Sequence, residues 1–280
     1  MRVYKGCLRV LSAIAAAGCL CGLCLCATYK DDLEVASYRF VREVDSDLRI
    51  LQLSDLHNHS NEYSSTSIVE QIGKANPDIV VATGDLIDSH TKTFDNLEAI
   101  LRKIKSLGVP LYYVHGNHEA GVSEQMFAQL SSLLNKYGGI SCERKSIDIG
   151  NGYTITGLVD PTFLDADGKK DRAMLMDAQL SDIETTSKKG KYNIVLVHQP
   201  QFNQQIYSHG YDIAFSGHTH GGQINIKGLI LFTNTDYVSG VYYRGDFAQV
   251  VSNGLGHSFY LPFRHACPAQ LVVADLAKAS

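Results

Sequence analysis

Asp55, His57 and His59 alternate along the stretch LQLSDLHNHSNEYSS. In extended backbone, residues two apart point the same way, so either neighbouring pair offers two donors to one ion. Two pairings stand open: His57 with His59 as H-x-H, or Asp55 with His57 as D-x-H. Four further groups follow along the chain: G-D-x-x-D with Asp85 and Asp88, G-N-H-E with Asn117, His118 and Glu119, an isolated His198, and G-H-T-H with His218 and His220. The last group repeats the spacing of two, with Thr219 facing away. Oxygen and imidazole donors without thiolate suit manganese, iron or zinc. Two divalent cations roughly 3.5–4 Å apart repel one another, and a carboxylate shared between them offsets that repulsion. Asp85 is the candidate for the shared carboxylate, with Gly84 before it allowing the backbone to turn as its strand ends.

Chemistry of this kind needs elements that bring distant residues together. LRILQLSD (48–55), DIVVATGDLID, VPLYYVHGNHE, YNIVLVHQP and YDIAFSGHTHGG read as five apolar strands, each ending in metal-capable residues. Three helices are expected among them. STSIVEQIGKAN is stopped by Pro77, FDNLEAILRKIKSLG has Gly108 as its C-cap, and SEQMFAQLSSLLNKYGG starts from a Ser123 cap. ISCERKSIDIGNGYTITGLVD reads as a hairpin around Asn151-Gly152. A long loop at 160–170 precedes a helix near 171–188, and the tail 223–277 alternates short strands and turns. This order predicts a layered α/β fold, with the site at the carboxyl ends of the strands.

Taken in this order and at these intervals, the five groups resemble the calcineurin-like metallophosphoesterases. The GHTHGGQ form and the late NGLGHSFYLPFRHACP segment resemble the membrane-associated bacterial branch of the YkuE type. The resemblance covers residues 48–277 and implies a four-layer α/β/β/α sandwich. It implies two divalent or trivalent ions, manganese, iron or zinc. Asp55, His57, Asp85 and His220 would hold one, and Asp85, Asn117, His198 and His218 the other. It implies a phosphoester hydrolase, a phosphodiesterase or pyrophosphohydrolase, with a metal-bridging hydroxide as nucleophile and His118 as general acid. Asp88 is expected to orient His118 or a ligand, and Glu119 to support the site or a helix start. Gly221 and Gly222 would let phosphate approach the backbone, and Asn253 and Arg264 would line the pocket. A polymerase-and-histidinol-phosphatase-type or amidohydrolase-type hydrolase would need its own later motifs, and GDxxD, GNHE and GHTH stand in their place. His59 therefore falls on the loop beyond the ligands, exposed or touching substrate phosphate. The alternatives kept are that H-x-H hydrolase and a non-catalytic, metal-stabilised binding module.

Composition sets the remaining bounds. The chain has 280 residues, is 45% hydrophobic, carries a net charge of −4 and has no Trp. It shows no basic patch of the nucleic-acid-binding kind. Val10 to Tyr29 is an uncharged run behind Arg2, Lys5 and Arg9. About 20 such residues as a helix span roughly 30 Å, the hydrocarbon thickness of a bilayer. Residues 1–29 are thus expected to be an anchor or signal-anchor, 30–47 a connector, and 48–280 the metallophosphoesterase domain. The nearer basic residues precede the run, which places the catalytic domain on the extracytoplasmic side. The expected partners are the membrane and a phosphoester substrate, lipid- or nucleotide-linked. Cys7, Cys19, Cys21, Cys24 and Cys26 lie in or beside the apolar run, and Cys142 and Cys267 are expected as buried free thiols.

Overall fold

Short apolar runs bounded by turn-forming residues become the strands of two sheets. A computed structural model describes residues 33–58, 65–165, 167–183, 190–226, 229–231, 235–257 and 264–279. The expected anchor at 1–29 and His59 lie outside the described residues. Among the described residues, no helix is long and apolar enough to cross a membrane.

The strands are β1 (Glu34–Arg42), β2 (Leu48–Leu53), β3 (Ile79–Thr83), β4 (Leu111–Val114), β5 (Gly139–Ser141), β6 (Lys145–Gly150) and β7 (Tyr153–Gly157). They continue as β8 (Tyr192–Leu196), β9 (Ile213–Ser216), β10 (Ile224–Ile226), β11 (Leu229–Leu231), β12 (Gly240–Arg244), β13 (Phe247–Val251) and β14 (Gln270–Lys278). The first sheet has the order β1-β14-β2-β3-β4-β5, and the second β12-β13-β9-β8-β7-β6. β2 to β5 run parallel, as do β7, β8, β9 and β13. β10 and β11 form a separate antiparallel ribbon.

Alternation along the strands builds the layers. Ile50, Val81 and Val114 of the first sheet meet Ile155, Ile194, Leu196 and Phe215 of the second in one fully buried cluster. The intervening Leu51, Leu53, Val80 and Ala82 face the other way, toward helices α1 (Ser65–Ala75), α2 (Asp95–Leu107) and α3 (Glu124–Lys136). Behind the second sheet, Val195 and Ala214 meet α5 (Arg172–Ile183) and α6 (Asn203–Ser208) through Met176, Leu180 and Ile206. The result is helix, sheet, sheet, helix, with the parallel strands β3, β4, β7, β8, β9 and β13 buried on both faces.

The caps follow the sequence. Gly108 closes α2 in the left-handed region, with φ 71, and its N–H reaches Lys105 O. Ser123 Oγ accepts from Met126 N at the start of α3. Asn151 and Gly152, with φ 51 and 79, make the β6–β7 turn. Two expectations need correction. The segment 30–47 is not a connector throughout: Glu34–Arg42 forms β1, paired in parallel with β14 over its whole length. Its charged residues point outward, while Ala36 and Phe40 enter the core between the sheets. The 160–170 loop also contains a short helix, α4 (Pro161–Leu164), capped by Asp160 Oδ1 accepting from Thr162 N.

Candidate metal centre

Every parallel strand of the central region points its carboxyl end at one place. Three groups of possible ligands form there among the described residues: Asp55 with His57 and His220, His57 with Asp88 and His118, and Asp85 with His198 and His218. Asp85 Oδ2 links them, lying 3.1 Å from His198 Nε2 and 3.9 Å from both His57 Nε2 and His118 Nε2. His198 Nε2 also lies 3.0 Å from Asn117 Oδ1 and 3.3 Å from His218 Nδ1. On the other side, His57 Nε2 and His220 Nε2 face each other at 3.2 Å.

The remaining ring nitrogens are turned toward acceptors. His198 Nδ1 lies 2.8 Å from Thr83 O and His220 Nδ1 3.2 Å from Gly256 O. His57 Nδ1 is 3.5 Å from Asp88 Oδ2. Such acceptors hold a proton on the outer nitrogen and leave the inner lone pair for an ion. Two inward lone pairs at 3.2 Å repel unless a cation lies between them, so the donor set fits a metal.

The electrostatics agree. Burial alone would raise Asp85, yet His198, His57 and His118 hold it well below the ordinary carboxylate range. Burial works against a charge on His198, but Asp85 beside it lifts that imidazole well above its usual value. Burial and the charge of His198 push His218 down to about 3. Burial, His57 and Arg264 likewise push His220 well below the usual range. Positive charge between these buried carboxylates is what a bound metal ion would supply.

Local backbone is bent to make this possible. Asp55, His57, Asp85, His218 and His220 all have positive φ, between 48 and 73. Non-glycine residues there cost of order 1–3 kcal/mol each and concentrate at functional sites. Gly84, with φ +91, admits Gly116 N within 2.5 Å of where a Cβ would stand. At Gly217 a Cβ would collide with Ser54 Oγ and Asp55 Oδ2. That closeness lets His218 N donate to Asp55 Oδ1 at 2.9 Å, tying the two sheets together.

The residues expected to support the site fall out differently. Glu119 is buried and accepts from the N–H groups of Asp85, Gly116, Leu86 and Ile87. It is the clamp that shapes the loop carrying Asp85. Burial and the Asp85 charge push it up to about 7. Asp88 sits against the expected ligand His57, with His118 within 4.8 Å in the same group, and its Oδ1 accepts from His90 N. Arg264 is not a pocket-lining cation. Its buried guanidinium donates to the carbonyls of Asn253, Gly256, His220 and Cys267, so its donors serve backbone. Asn253 and Gly221 lie together in the same internal packing, where a Cβ on Gly221 would stand 2.5 Å from Cys267 Sγ and 2.7 Å from Asn253 Oδ1. Gly222 is buried beside them. Cys142 and Cys267 are buried free thiols, and burial pushes Cys142 up to about 12.

Two residues were missed from sequence. Asn58, next to His57, accepts from Leu97 N at 3.0 Å and so tethers the ligand loop to α2. Arg172, at the start of α5, is exposed and near enough for its charge to add to the lowering of His218. Asn58 had a signal, an Asx residue inside the ligand motif, whereas Arg172 had none.

Comparison with known proteins agrees with this geometry. Residues 48–222 match the calcineurin-like phosphoesterase family. An uncharacterised metallophosphoesterase of Campylobacter jejuni is 29% identical over 243 residues, covering 84% of this chain and 61% of that protein. The uncharacterised metallophosphoesterase YkuE of Bacillus subtilis is 28% identical over 236 residues, covering 81% of this chain and 78% of that one. A Danio rerio transmembrane protein with a metallophosphoesterase domain is 28% identical over 245 residues, covering 83% of this chain and 54% of its own. This chain therefore spans about three-fifths of the Campylobacter relative, 61%, and 62% of a Helicobacter pylori one. A crystal structure with 12% identity and a TM-score of 0.51 covers 74% of this chain and 91% of its own, which is a likeness of fold. With the family match spanning residues 48–222, the chain belongs to the calcineurin-like phosphoesterase family.

Proposed function

We propose that this protein is a dinuclear-metal phosphoester hydrolase of the phosphodiesterase or pyrophosphohydrolase kind, held beside a membrane by the run Val10 to Tyr29, with its catalytic domain on the extracytoplasmic side. The observation that carries the reading is the position of Asp85 Oδ2, within 3.9 Å of ring nitrogens from His57, His118 and His198. One carboxylate oxygen thus touches both ligand groups. Asp55, His57, Asp85 and His220 would hold one ion, and Asp85, Asn117, His198 and His218 the other. Two bound divalent cations would supply Lewis acidity toward phosphoryl oxygens and a nucleophile at neutral pH.

The chain's own residues do the rest. His118 donates its backbone N–H to Asp85 Oδ1 at 2.8 Å, which fixes the imidazole at the edge of the cluster. Its side chain is 35% exposed, against 0% for His57 and His198, so it faces outward. Burial lowers His118 below the ordinary imidazole value, and Asp85 partly offsets this. When protonated, His118 Nε2, 3.9 Å from Asp85 Oδ2, would carry the proton passed to a leaving alkoxide. Asp88 orients His57, and Glu119 keeps the Asp85 loop in place.

The test combines elemental analysis with hydrolysis of bis-p-nitrophenyl phosphate. The wild type is expected to carry two metals and turn over. His118→Asn should keep both metals and lose roughly 10²–10⁴-fold in kcat. A metal-loaded protein with no turnover on a panel of phosphomonoesters, diesters and pyrophosphates would leave only a binding module.

A further inference from the structure

The direction of β1 bears on where the site faces. β14 runs antiparallel to β2, and β1 runs parallel to β14. β1 therefore starts at the end of the first sheet where β2 and β3 finish, the end that carries the metal cluster. The join is direct. Glu34 Oε2 accepts from Gln270 Nε2 at 3.1 Å, Gln270 N donates to Gly254 O at 2.8 Å, and Gly254 lies against Asp55, 2.6 Å from its Cβ where a side chain would start. The uncharged run ends at Tyr29, and the four residues Lys30 to Leu33 can reach roughly 14 Å at most. Whatever holds that run holds the cluster end of the domain close to it.

The same end carries the right surface. Phe163, Met174 and Leu229 are 37%, 69% and 62% exposed. They stand on three separate segments that leave or adjoin the carboxyl ends of the second sheet: α4, the first turn of α5, and the β10–β11 ribbon that follows His220. Lys169, Lys170 and Arg172 are exposed between the first two, with the exposed Asp167, paired to Lys169 at 3.2 Å, and Asp171 among them. Beside them a groove of about 360 Å³ has apolar walls from Leu164, Leu175 and Ile183, with Arg144 and Lys170 among its lining. At the opposite end, Val41 and Tyr243 are 54% and 64% exposed, but they stand among the exposed acids Glu43, Asp45, Asp47 and Asp246, with the exposed cation Lys278 near them. Apolar side chains interleaved with cations around a mouth are what an interfacial surface requires.

We propose that the metal-cluster end of the two sheets is the membrane-facing end, and that the substrate is a phosphoester carried by a lipid in the same bilayer as the protein. This rests on the phosphoester and anchor reading above and adds an orientation to it. A site turned toward its own bilayer meets lipid headgroups at a high effective concentration, and a soluble ester only at its bulk concentration.

The chain contains no Trp, so single Trp variants report position without background. Full-length Met174→Trp, Leu229→Trp, Glu43→Trp and Asp246→Trp proteins are reconstituted into phosphatidylcholine vesicles containing brominated phosphatidylcholine. Quenching is expected at Met174 and Leu229 and absent at Glu43 and Asp246. Equal quenching at the two ends, stronger quenching at Glu43 and Asp246, or none anywhere would overturn the orientation. Activity supplies the second arm. A p-nitrophenyl phosphodiester of diacylglycerol should be cleaved on the order of tenfold faster in the protein's own vesicles than in separate ones. Equal rates in the two, with bis-p-nitrophenyl phosphate still cleaved, would sink the orientation and leave the hydrolase. No cleavage of any ester by the metal-loaded protein would sink the hydrolase, while the quenching pattern would still report the orientation.

Discussion

The two sheets bring unlike chemistry to the cluster. Strand ends of the first carry all three buried aspartates of the ligand groups, Asp55, Asp85 and Asp88, together with His57, Asn117 and His118. Strand ends of the second carry imidazole alone, from His198, His218 and His220. Each half is also oriented by the other. His198 of the second sheet is turned by Thr83 O at the end of β3, and Asp55 of the first accepts from His218 N. Carboxylates crowded together repel, and buried imidazoles alone are driven neutral, as His218 and His220 are. The site is therefore a property of the docked sheets, and the shared core of Val81, Val114, Leu196 and Phe215 is what holds it together.

The sharpest break in that division comes at the carboxylate that touches both sides. Asp85→Asn removes the charge next to His57, His118 and His198 at once, so elemental analysis should find neither metal and assays no turnover. His220→Ala is expected to lose only the ion held with Asp55 and His57, leaving about one metal per chain by the assignment of Asp85 as the bridge. If Asp85→Asn kept two metals, the two halves would not meet through Asp85.

Glu119→Gln tests whether the first half depends on its own clamp. Both carboxylate oxygens accept backbone N–H groups, so an amide nitrogen there would face donors. Loss of such a supporting partner typically costs roughly 10–100-fold in metal affinity or activity. Titration of metal into the stripped protein measures it. An unchanged affinity would mean that the Asp85 loop holds its shape without Glu119.

Gly217→Ala tests the seam. A Cβ there meets Ser54 Oγ and Asp55 Oδ2, and the strand ends must part to admit it. Overpacking of this kind costs about 1–3 kcal/mol, which lowers Tm by several degrees in a domain of this size. Chelation should lower the wild type's Tm as well, because ions that bind only the folded state stabilise it. Chelation should have a smaller effect on Gly217→Ala, whose ligand halves no longer close on an ion.

How much of this was legible depends on whether a partner lay nearby in sequence. The ligand motifs were legible because strand ends repeat one pattern, an apolar run followed by Asp, Asn or His. β1 was misread because Glu34, Arg39 and Arg42 dominate its composition, and only its pairing with β14, more than two hundred residues away, makes it a strand. Arg264 is expected from sequence to line the pocket, and an arginine gives no sign in sequence that its acceptors are carbonyls up to 44 residues away. Glu119 was legible as a supporting residue, while its four N–H partners appear only when the Asp85 and Gly116 loops meet.

Arg172 sharpens the comparison at its edge, since the second half otherwise brings only imidazole to the ligand groups. It is exposed at the start of α5, where Asp171 Oδ1 caps the helix by accepting from Ala173 N, and its charge reaches His218. An exposed cation at that place would meet the negative charge of a phosphodiester before and after reaction alike, which is uniform binding and appears in KM alone. Exposed charge pairs are worth about 0.2–1 kcal/mol, so Arg172→Ala should raise KM for bis-p-nitrophenyl phosphate by roughly 1.4-fold to fivefold with kcat unchanged. Added salt should shrink the difference between the two proteins, because an exposed pair is screened. A fall in kcat instead would move Arg172 into the reacting centre and give the second sheet a permanent charge beside its three imidazoles.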